Sequence, residues 1–242
     1  MTIKVAVIGA TGRMGKLALD IIKGSSDLSL HAALDSSSEL SEALGADVIF
    51  EATNLEVSKS VVDFAAANGM KVLVATSGWT EAALEEVKTK VSGSAAVVVV
   101  PNFSIGSTLA TKFAAEAAKY FDSIEIIETH HAGKLDSPSG TAIRTAELIS
   151  SSREEAGRTQ ALIPGVGQSA RGEVVSGVPI HSLRINGVSA KQEVNLGGAD
   201  ELLTISHTAG SVNAYALGIL ESIRFTASAN GITLGLNKVL GI

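Results

Sequence analysis

Near the start of the chain, Ile3-Lys-Val-Ala-Val-Ile8 is a short apolar run, and Gly9-Ala-Thr-Gly-Arg-Met-Gly15 follows it directly. The run predicts a buried strand, and the apolar residues after Gly15 predict one face of a helix. A strand that ends in glycines and opens a helix is typical of a parallel α/β sheet that binds a dinucleotide. The glycines let the backbone approach a pyrophosphate, whose charge the helix N-terminus stabilises.

Alternating strands and helices continue through the first hundred residues. Short apolar runs predict strands at residues 3–8, 28–34, 48–52, 72–75 and 95–100. Helices are predicted at residues 57–67 and 81–91, with Thr80 as the N-cap of the second. Elements in this order form a parallel sheet with right-handed crossovers.

The pattern changes after about residue 104. Helices at residues 107–120 and 142–152 flank a strand at 124–130, a polar loop covers residues 153–170, and strands follow at 172–178, 180–186, 189–196 and 201–207. Asn186-Gly187 and Gly197-Gly198 predict hairpins, so we expect antiparallel strands here. A helix at residues 213–227 is predicted to return to the first domain. We therefore assign residues 1–104 and 212–242 to a dinucleotide-binding domain and residues 105–211 to a second domain.

Composition argues against several classes of function. The chain has 242 residues, 45% of them hydrophobic and 18% charged, which is enough apolar surface for packed domains. A net charge of −6 without a basic run argues against nucleic acid as a partner, and no apolar run approaches the ~18 residues of a membrane span. With no cysteine and no signal pattern, we expect a cytoplasmic protein without disulfides.

Asp35 lies at the end of the second predicted strand, about 20 residues past Gly15, the spacing of the acidic residue in dinucleotide sites. A carboxylate there can accept hydrogen bonds from a ribose 2′-hydroxyl and repels a 2′-phosphate, although an aspartate can also serve the turn alone. A phosphate-loop NTPase is disfavoured, because that loop needs a shorter glycine spacing and Ser or Thr in place of Leu17.

Proton donors and acceptors cluster in Glu128-Thr-His-His-Ala-Gly-Lys-Leu-Asp-Ser-Pro-Ser-Gly-Thr-Ala142. The stretch follows a predicted strand and opens a predicted helix, whose unpaired first-turn N–H groups favour an anion. One of the two histidines could donate a proton near neutral pH. Adjacent strand residues point to opposite faces, which argues against a shared metal, and we predict no metal site.

The same residues also have ordinary structural interpretations. The histidines and Lys134 could be solvated polar groups, and Ser139 could be only the N-cap of the helix rather than part of a carboxylate cradle with Gly140 and Thr141. The sequence lacks a Gly-x-Ser-x-Gly elbow and a Ser-x-x-Lys pattern, so a serine nucleophile has no support. Proton donors and an anion cradle in one short loop together favour an active site.

The stretch closely resembles the signature Glu-x-His-His-x-x-Lys-x-Asp-x-Pro-Ser-Gly-Thr-Ala of the 4-hydroxy-tetrahydrodipicolinate reductase (dihydrodipicolinate reductase) family of lysine and diaminopimelate biosynthesis. The glycine turn, Thr76-Ser-Gly78 and Asn102-Phe-Ser104 resemble the family's cofactor segments in the same order. The likeness covers nearly the whole chain, including Val178-Pro-Ile-His-Ser-Leu-Arg184 and Val239-Leu-Gly241.

The resemblance implies an oxidoreductase with a Rossmann-type parallel-sheet domain and an inserted α+β domain, whose open mixed sheet binds substrate and forms a homotetramer. It implies hydride transfer from NADH or NADPH to a cyclic imine dicarboxylate. His130 and Lys134 would be catalytic, and the substrate would contact His131, Ser139, Gly140 and Thr141. The implied cofactor-binding residues are Gly9, Ala10, Thr11, Gly12, Arg13, Met14, Asp35, Ala75, Thr76, Ser77, Val100, Pro101, Asn102 and Phe103.

Asp35 is followed by three serines and has no Arg or Lys nearby, so we expect NADH to be well used; Arg13 on the ribose side would admit NADPH. The chain departs from the family pattern at Glu51-Ala-Thr-Asn54, where an Asp-Phe-Thr-x-Pro segment is usual, at Ala75 in place of glycine, and at Val212, where many members carry arginine. Two alternatives stay open: another Rossmann oxidoreductase of amino-acid metabolism, which would need a different catalytic loop, or a dinucleotide sensor without catalysis.

Overall fold

The computed structural model of the chain describes residues 2–159, 165 and 167–242. The chain divides into two compact units, one formed by Met1–Ile105 with Val212–Ile242 and the other by Gly106–Ser211. Of the loop predicted at residues 153–170, positions 160–164 and 166 lie outside the described residues. Within the described part of the chain, every helix is too short or too polar to cross a membrane.

In chain order the strands and helices are β1 (Ile3–Ile8), α1 (Arg13–Gly24), β2 (Leu28–Leu34), β3 (Val48–Glu51), α2 (Leu55–Ala67), β4 (Lys71–Val74), α3 (Glu81–Lys90), β5 (Ala96–Val99), α4 (Ile105–Ala117), β6 (Ser123–His130), α5 (Gly140–Glu155), β7 (Glu173–Val175), β8 (Val178–Arg184), β9 (Ala190–Gly198), β10 (Glu201–Ala209), α6 (Ala216–Ser228), β11 (Gly231–Leu234) and α7 (Leu236–Leu240). Short 3₁₀ helices lie at Leu40–Ala43, Ser169–Arg171 and Val212–Tyr215. Thr80 caps α3 as predicted, because its hydroxyl accepts the Ala83 N–H at 3.3 Å.

The first unit holds a six-stranded sheet in the order β11-β5-β4-β3-β1-β2, and all its strands run parallel. Its central strands are buried Val, Ile and Leu runs, as expected where helices cover both faces of a sheet. The chain winds outward from β1 in one direction to β2 and in the other to β3, so the carboxyl ends of β1 and β3 border a crevice. The predicted Rossmann-type sheet is confirmed.

The sequence prediction misses β11 and α7. β11 has only four residues, and it forms because β5 offers it a free edge, with Gly231 opposite Ala96. The helix predicted at residues 213–227 begins later, at Ala216, because Val212–Tyr215 forms a 3₁₀ turn before it. Both ends of the chain therefore contribute strands to the same sheet.

The second unit holds a five-stranded mixed sheet in the order β10-β9-β6-β8-β7. β6 runs parallel to β8 and antiparallel to β9. Helices α4 and α5 pack on one face of this sheet, and the core between them is centred on Ile126, Ile149, Ile180 and Leu196. The predicted α+β unit with an open mixed sheet is confirmed.

Two local predictions in this unit are wrong. Asn186-Gly187 does not close a hairpin, because β6 lies between the two strands that this turn joins, and β6 and β8 are parallel. The predicted strand break at Pro179 is also absent; Pro179 lies inside β8, and the chain turns instead at Ser176 and Gly177, which both have positive φ. The hairpin predicted at Gly197-Gly198 does form, between β9 and β10, with its turn at residues 199–200.

Candidate active site

His130 is the last residue of β6, and its ring contacts a buried carboxylate. Nδ1 of His130 lies 2.6 Å from Oε2 of Glu128, two residues earlier on the same face of the strand. An ionised carboxylate only accepts hydrogen bonds, so Nδ1 carries the proton of this contact, and Nε2 is the nitrogen that can deliver a proton to a reactant. The side chain of His130 is 18% exposed and that of Glu128 is 0% exposed, so the histidine is the member of the pair that a reactant can reach.

Arg184 binds the same carboxylate with both terminal nitrogens. They lie 2.9 and 2.8 Å from Oε2 and Oε1 of Glu128, and one also donates to the carbonyl of Asp136 at 2.7 Å. Burial alone would raise the pKa of Glu128, but hydrogen bonds from Arg184, Ser182 and His130 outweigh it and hold that pKa below its ordinary value. Arg184 and Glu128 form a bidentate pair in which both groups are charged. This pair fixes the position of the Glu128 carboxylate, to which His130 is bonded.

The first turn of α5 begins beside this pair. The backbone N–H of Ser139 donates to Oε1 of Glu128 at 3.2 Å, and the hydroxyl of Ser139 accepts the N–H of Ala142 at 3.3 Å as the helix N-cap. Ser139 is buried, Thr141 is half-buried and Gly140 is exposed. The structure therefore brings the helix N-terminus that we predicted as a carboxylate cradle next to the strand that carries His130.

The loop between β6 and α5 holds the other two predicted groups. Nζ of Lys134 lies 2.7 Å from each carboxylate oxygen of Asp136, and this bond is the main cause of the lowered pKa of Asp136. The Lys134 side chain is 20% exposed and that of Asp136 is 67% exposed. His131 is exposed, and the loop is held through its backbone N–H, which donates to the carbonyl of Ser189 at 3.4 Å. A substrate carboxylate at Lys134 would share the ammonium group with Asp136.

The predicted cofactor-binding residues all lie in the first unit. Gly9 has a φ of +85°, and a Cβ there would lie 2.4 Å from the carbonyl oxygen of Ala52, so only glycine fits this turn. A Cβ at Gly15 would lie 2.1 Å from the carbonyl oxygen of Gly9, so α1 packs directly on the turn. Gly12 is the N-cap of α1 and gives it no side-chain hydrogen bond, which leaves first-turn N–H groups for a pyrophosphate and fits a dinucleotide.

The remaining predicted cofactor segments follow the other strands at the same edge. Oδ1 of Asp35 accepts the hydroxyl and the N–H of Ser37 at 2.7 and 2.9 Å, and these bonds lower the pKa of Asp35. Ala75, Thr76 and Ser77 follow β4, and residues 100–103 follow β5. Since all six strands are parallel, their carboxyl ends meet at one edge of the sheet, where ligands of this fold bind.

Sequence reasoning missed the partners of His130. Glu128 and His130 are two residues apart on a predicted strand, and that spacing was a signal that both side chains share a face. Arg184 and Ser182 lie in a segment that resembles the family, but nothing in the sequence links them to His130, because only the pairing of β6 with β8 brings them to the site. In the first unit, sequence reasoning also gave no indication that the side chain of Glu51 is buried. Among the described residues, no group of three or more His, Asp or Glu side chains is placed to hold a metal ion.

Comparison with known proteins assigns both parts of the chain to one family. Residues 3–103 match the family model described as dihydrodipicolinate reductase, N-terminus, and residues 106–240 match dihydrodipicolinate reductase, C-terminus. The chain is 51% identical over 244 residues to the 4-hydroxy-tetrahydrodipicolinate reductase of Clavibacter michiganensis subsp. michiganensis (strain NCPPB 382), which covers 100% of this chain and 87% of that relative.

Two further relatives cover almost the whole of both chains. The protein of the same name from Streptomyces griseus subsp. griseus is 40% identical over 250 residues, which is 99% of this chain and 98% of that one. A solved dipicolinate-bound dihydrodipicolinate reductase from Paenisporosarcina sp. TG-14 superposes with a TM-score of 0.83 at 30% identity, over 98% of this chain and 99% of that chain.

Proposed function

The chain belongs to the dihydrodipicolinate reductase family, and from this membership we infer that it reduces 4-hydroxy-tetrahydrodipicolinate with a nicotinamide dinucleotide, in lysine and diaminopimelate biosynthesis. The roles that we propose for its residues depend on one observation above all. His130 holds Glu128 through Nδ1, beside the N-terminus of a helix. We therefore propose that a proton donor and an anion site lie next to each other here.

A bound NADH or NADPH supplies the hydride. We propose that the backbone of Gly9, Ala10, Thr11, Gly12, Arg13 and Met14 holds its pyrophosphate, because α1 has no side-chain cap to compete for the first-turn N–H groups. Ala75, Thr76 and Ser77 and the segment Val100, Pro101, Asn102 and Phe103 would line the same edge. Asp35 would accept the hydroxyls of the adenosine ribose.

The substrate is a ring with two carboxylates, and the second unit offers cations and N–H groups for them. Lys134 would bind one carboxylate, and the first-turn groups of Ser139, Gly140 and Thr141 would hold another, with His131 as an additional donor. The Paenisporosarcina relative with dipicolinate bound supports a ring dicarboxylate as the ligand of this fold. These contacts orient the ring before chemistry and supply positive potential where negative charge develops.

His130 is the group that we propose as the proton donor. The substrate loses water, takes a hydride at C4 and takes a proton at the adjacent ring carbon. The Nε2–H of His130 would give that proton while Glu128 keeps the ring fixed through Nδ1. Solvent returns a proton to the imidazole after each turnover.

We also propose a preferred dinucleotide, an oligomeric state and a location for the protein. NADH is expected to be well used, because Asp35 is ionised and would repel a 2′-phosphate. A homotetramer is expected from the family resemblance and from the sheet face that α4 and α5 leave open. We also expect the reaction to occur in the cytoplasm, with the rest of the pathway.

The test of the function is NADH consumption by the purified protein with substrate made fresh by the preceding synthase. His130→Ala should lower kcat by about 10²–10⁴-fold, the usual contribution of a general acid, and Lys134→Ala should lower kcat, raise the substrate KM or both. His31→Ala, an exposed histidine on β2, is the matched control and should leave kcat unchanged. An unchanged kcat in His130→Ala would remove histidine from the chemistry.

Cofactor choice needs a separate measurement. KM values for NADH and NADPH, measured side by side on the same preparation, should show NADH used at least as well as NADPH. Replacing Asp35 by serine should raise the KM for NADH and favour NADPH, because it removes both the ribose acceptor and the repulsive charge. A large preference of the unmodified protein for NADPH would overturn the proposed role of Asp35.

A further inference from the structure

Glu51 is a fully buried carboxyl side chain at the end of an apolar strand of the first unit. It ends β3, its exposure is 0%, and its strand neighbours Ile49 and Phe50 are equally buried. Burying a carboxyl group is costly unless hydrogen bonds replace the lost water. An apolar residue would fill the same volume without that cost, so a glutamate at this position calls for an explanation in terms of its partners.

The partners of Glu51 come from three different segments at the carboxyl edge of the sheet. Oε1 accepts the N–H of Thr53 at 2.7 Å, the hydroxyl of Thr53 at 2.5 Å and the hydroxyl of Thr76 at 2.9 Å. Oε2 accepts the hydroxyl of Ser58 at 2.6 Å. Ser58 lies in α2 and in turn accepts the indole N–H of Trp79 at 3.1 Å.

These contacts tie the turn after β3 to the turn after β4. The N–H of Thr53 also lies 3.1 Å from the hydroxyl of Thr76, so the two threonines share the carboxyl oxygen and contact each other. The turn after β3 also borders the glycine turn, because the carbonyl oxygen of Ala52 is the atom that a Cβ at Gly9 would meet. The side chain of Glu51 therefore fixes the distance between the turn after β3 and the turn after β4.

We propose that Glu51 is a positioning residue of the dinucleotide site, which sets the turns carrying Thr53 and Thr76 at the distance that the cofactor needs. The inference rests on the proposed dinucleotide function of this edge. Glu51 is buried and does not itself touch the cofactor; it acts through the two threonines. A fully bonded polar network of this kind specifies one loop geometry, whereas an apolar side chain would permit several.

The test is dinucleotide binding to Glu51→Gln, measured by the change in NADH fluorescence without substrate. The amide keeps the size of the side chain, but its NH₂ group cannot accept the bonds that one oxygen now accepts. We expect the Kd and the KM for NADH to rise about tenfold, the usual effect of disrupting hydrogen bonds to a buried group. The KM for the dicarboxylate, whose proposed site lies in the other unit, should stay unchanged.

Ser222→Ala is the matched control. Ser222 is equally buried in the same unit, but its hydroxyl donates at 2.7 Å to Gly218 within its own helix and touches neither turn. It should lower the Tm without a change in the Kd for NADH. Thr76→Val removes one bond of the network from the other side, so its effect on the Kd should be less than additive with that of Glu51→Gln.

The outcomes separate the two proposals. If the unmodified protein binds neither NADH nor NADPH, the proposed function is wrong. If it binds NADH, and Glu51→Gln loses thermal stability but keeps the Kd of the unmodified protein, Glu51 is a structural residue only and this inference is wrong. Should Glu51→Gln fail to fold, Thr76→Val and Ser58→Ala decide the question, since a normal Kd in both would equally overturn it.

Discussion

At the scale of single residues, the second unit places the proposed proton donor, His130, at the end of a chain of hydrogen-bonded partners. Arg184 holds Glu128 with two bonds, and Glu128 holds His130 with one. Glu128 is fully buried, whereas the side chains of His130 and Arg184 are 18% and 19% exposed. We therefore expect Glu128, held by Arg184, to act on the proposed reaction by fixing the ring of His130 and the tautomer that it presents.

Glu128→Gln should slow the reaction without abolishing it. The amide can still accept from Nδ1 of His130 but loses the charge that holds Arg184, so the ring should be oriented less strictly and kcat should fall about 10–100-fold, less than in His130→Ala. Glu125→Gln is the matched control, because Glu125 lies on the opposite face of the same strand and binds His181 and Arg171. Steady-state kinetics on both variants decide it; equal kcat values in the two would contradict a role for Glu128.

The carboxylate of Glu128 also predicts that the stability of the protein depends on pH. Its pKa in the folded protein lies below the ordinary value of 4.5, so the ionised form favours folding. That contribution is fully present above about pH 4.5 and is lost as the pH falls through the folded pKa. Thermal unfolding across the acidic range should show a fall in Tm for the unmodified protein that is shallower in Glu128→Gln, which starts from a lower Tm at neutral pH. Parallel curves for the two proteins would show that Glu128 does not contribute.

At the scale of elements, close backbone contact decides where α6 can lie. A Cβ at Gly218 would lie 1.9 Å from the carbonyl oxygen of Phe103, which belongs to a predicted cofactor segment. α6 therefore rests directly on the backbone that follows β5, and its buried residues Ile219 and Ile223 reach the core only at this separation.

The prediction that follows is that Gly218→Ala destabilises the protein by about 1–3 kcal/mol, the usual cost of overpacking, and raises the KM for the dinucleotide by displacing Phe103. Gly24→Ala is the control within a helix of the same unit, because a Cβ at Gly24 meets nothing within 4 Å; it should be neutral or slightly stabilising. The urea unfolding midpoints of the two variants measure these changes in stability. Similar midpoints for the two variants would show that α6 can move away without cost.

The elements also show what a sequence can predict. Strands β1 to β5 and their helices follow from local apolar runs and turn residues, and so do the glycine turn and the stretch from Glu128 to Thr141. Contacts that depend on strand order do not follow: β11 needs the free edge of β5, and Asn186-Gly187 is a hairpin signal that fails because β6 inserts between its two strands. Arg184 and Glu51 are missed for the same reason, since their partners come from other segments.

At the scale of the whole molecule, the sheet of the second unit has one covered and one open face. Ile126, Val194 and Ile205 point to the core under α4 and α5. The alternate residues, among them Leu202, Thr204 and Leu183, point away from α4 and α5. Leu202 is 69% exposed and Leu183 is 45% exposed. An open sheet with exposed leucines is the surface that the proposed tetramer would bury.

Leu202→Glu should therefore dissociate the tetramer, because it places a charge on the face that the subunits would share. Size-exclusion chromatography with light scattering should give about four times the chain mass of 24.7 kDa for the unmodified protein and a smaller species for the variant. Tyr120→Glu is the control: Tyr120 is 71% exposed in the same unit but lies in the turn after α4, so this variant should keep the full mass. If Leu202→Glu keeps it as well, the subunits associate through another surface, and the open face has a different role.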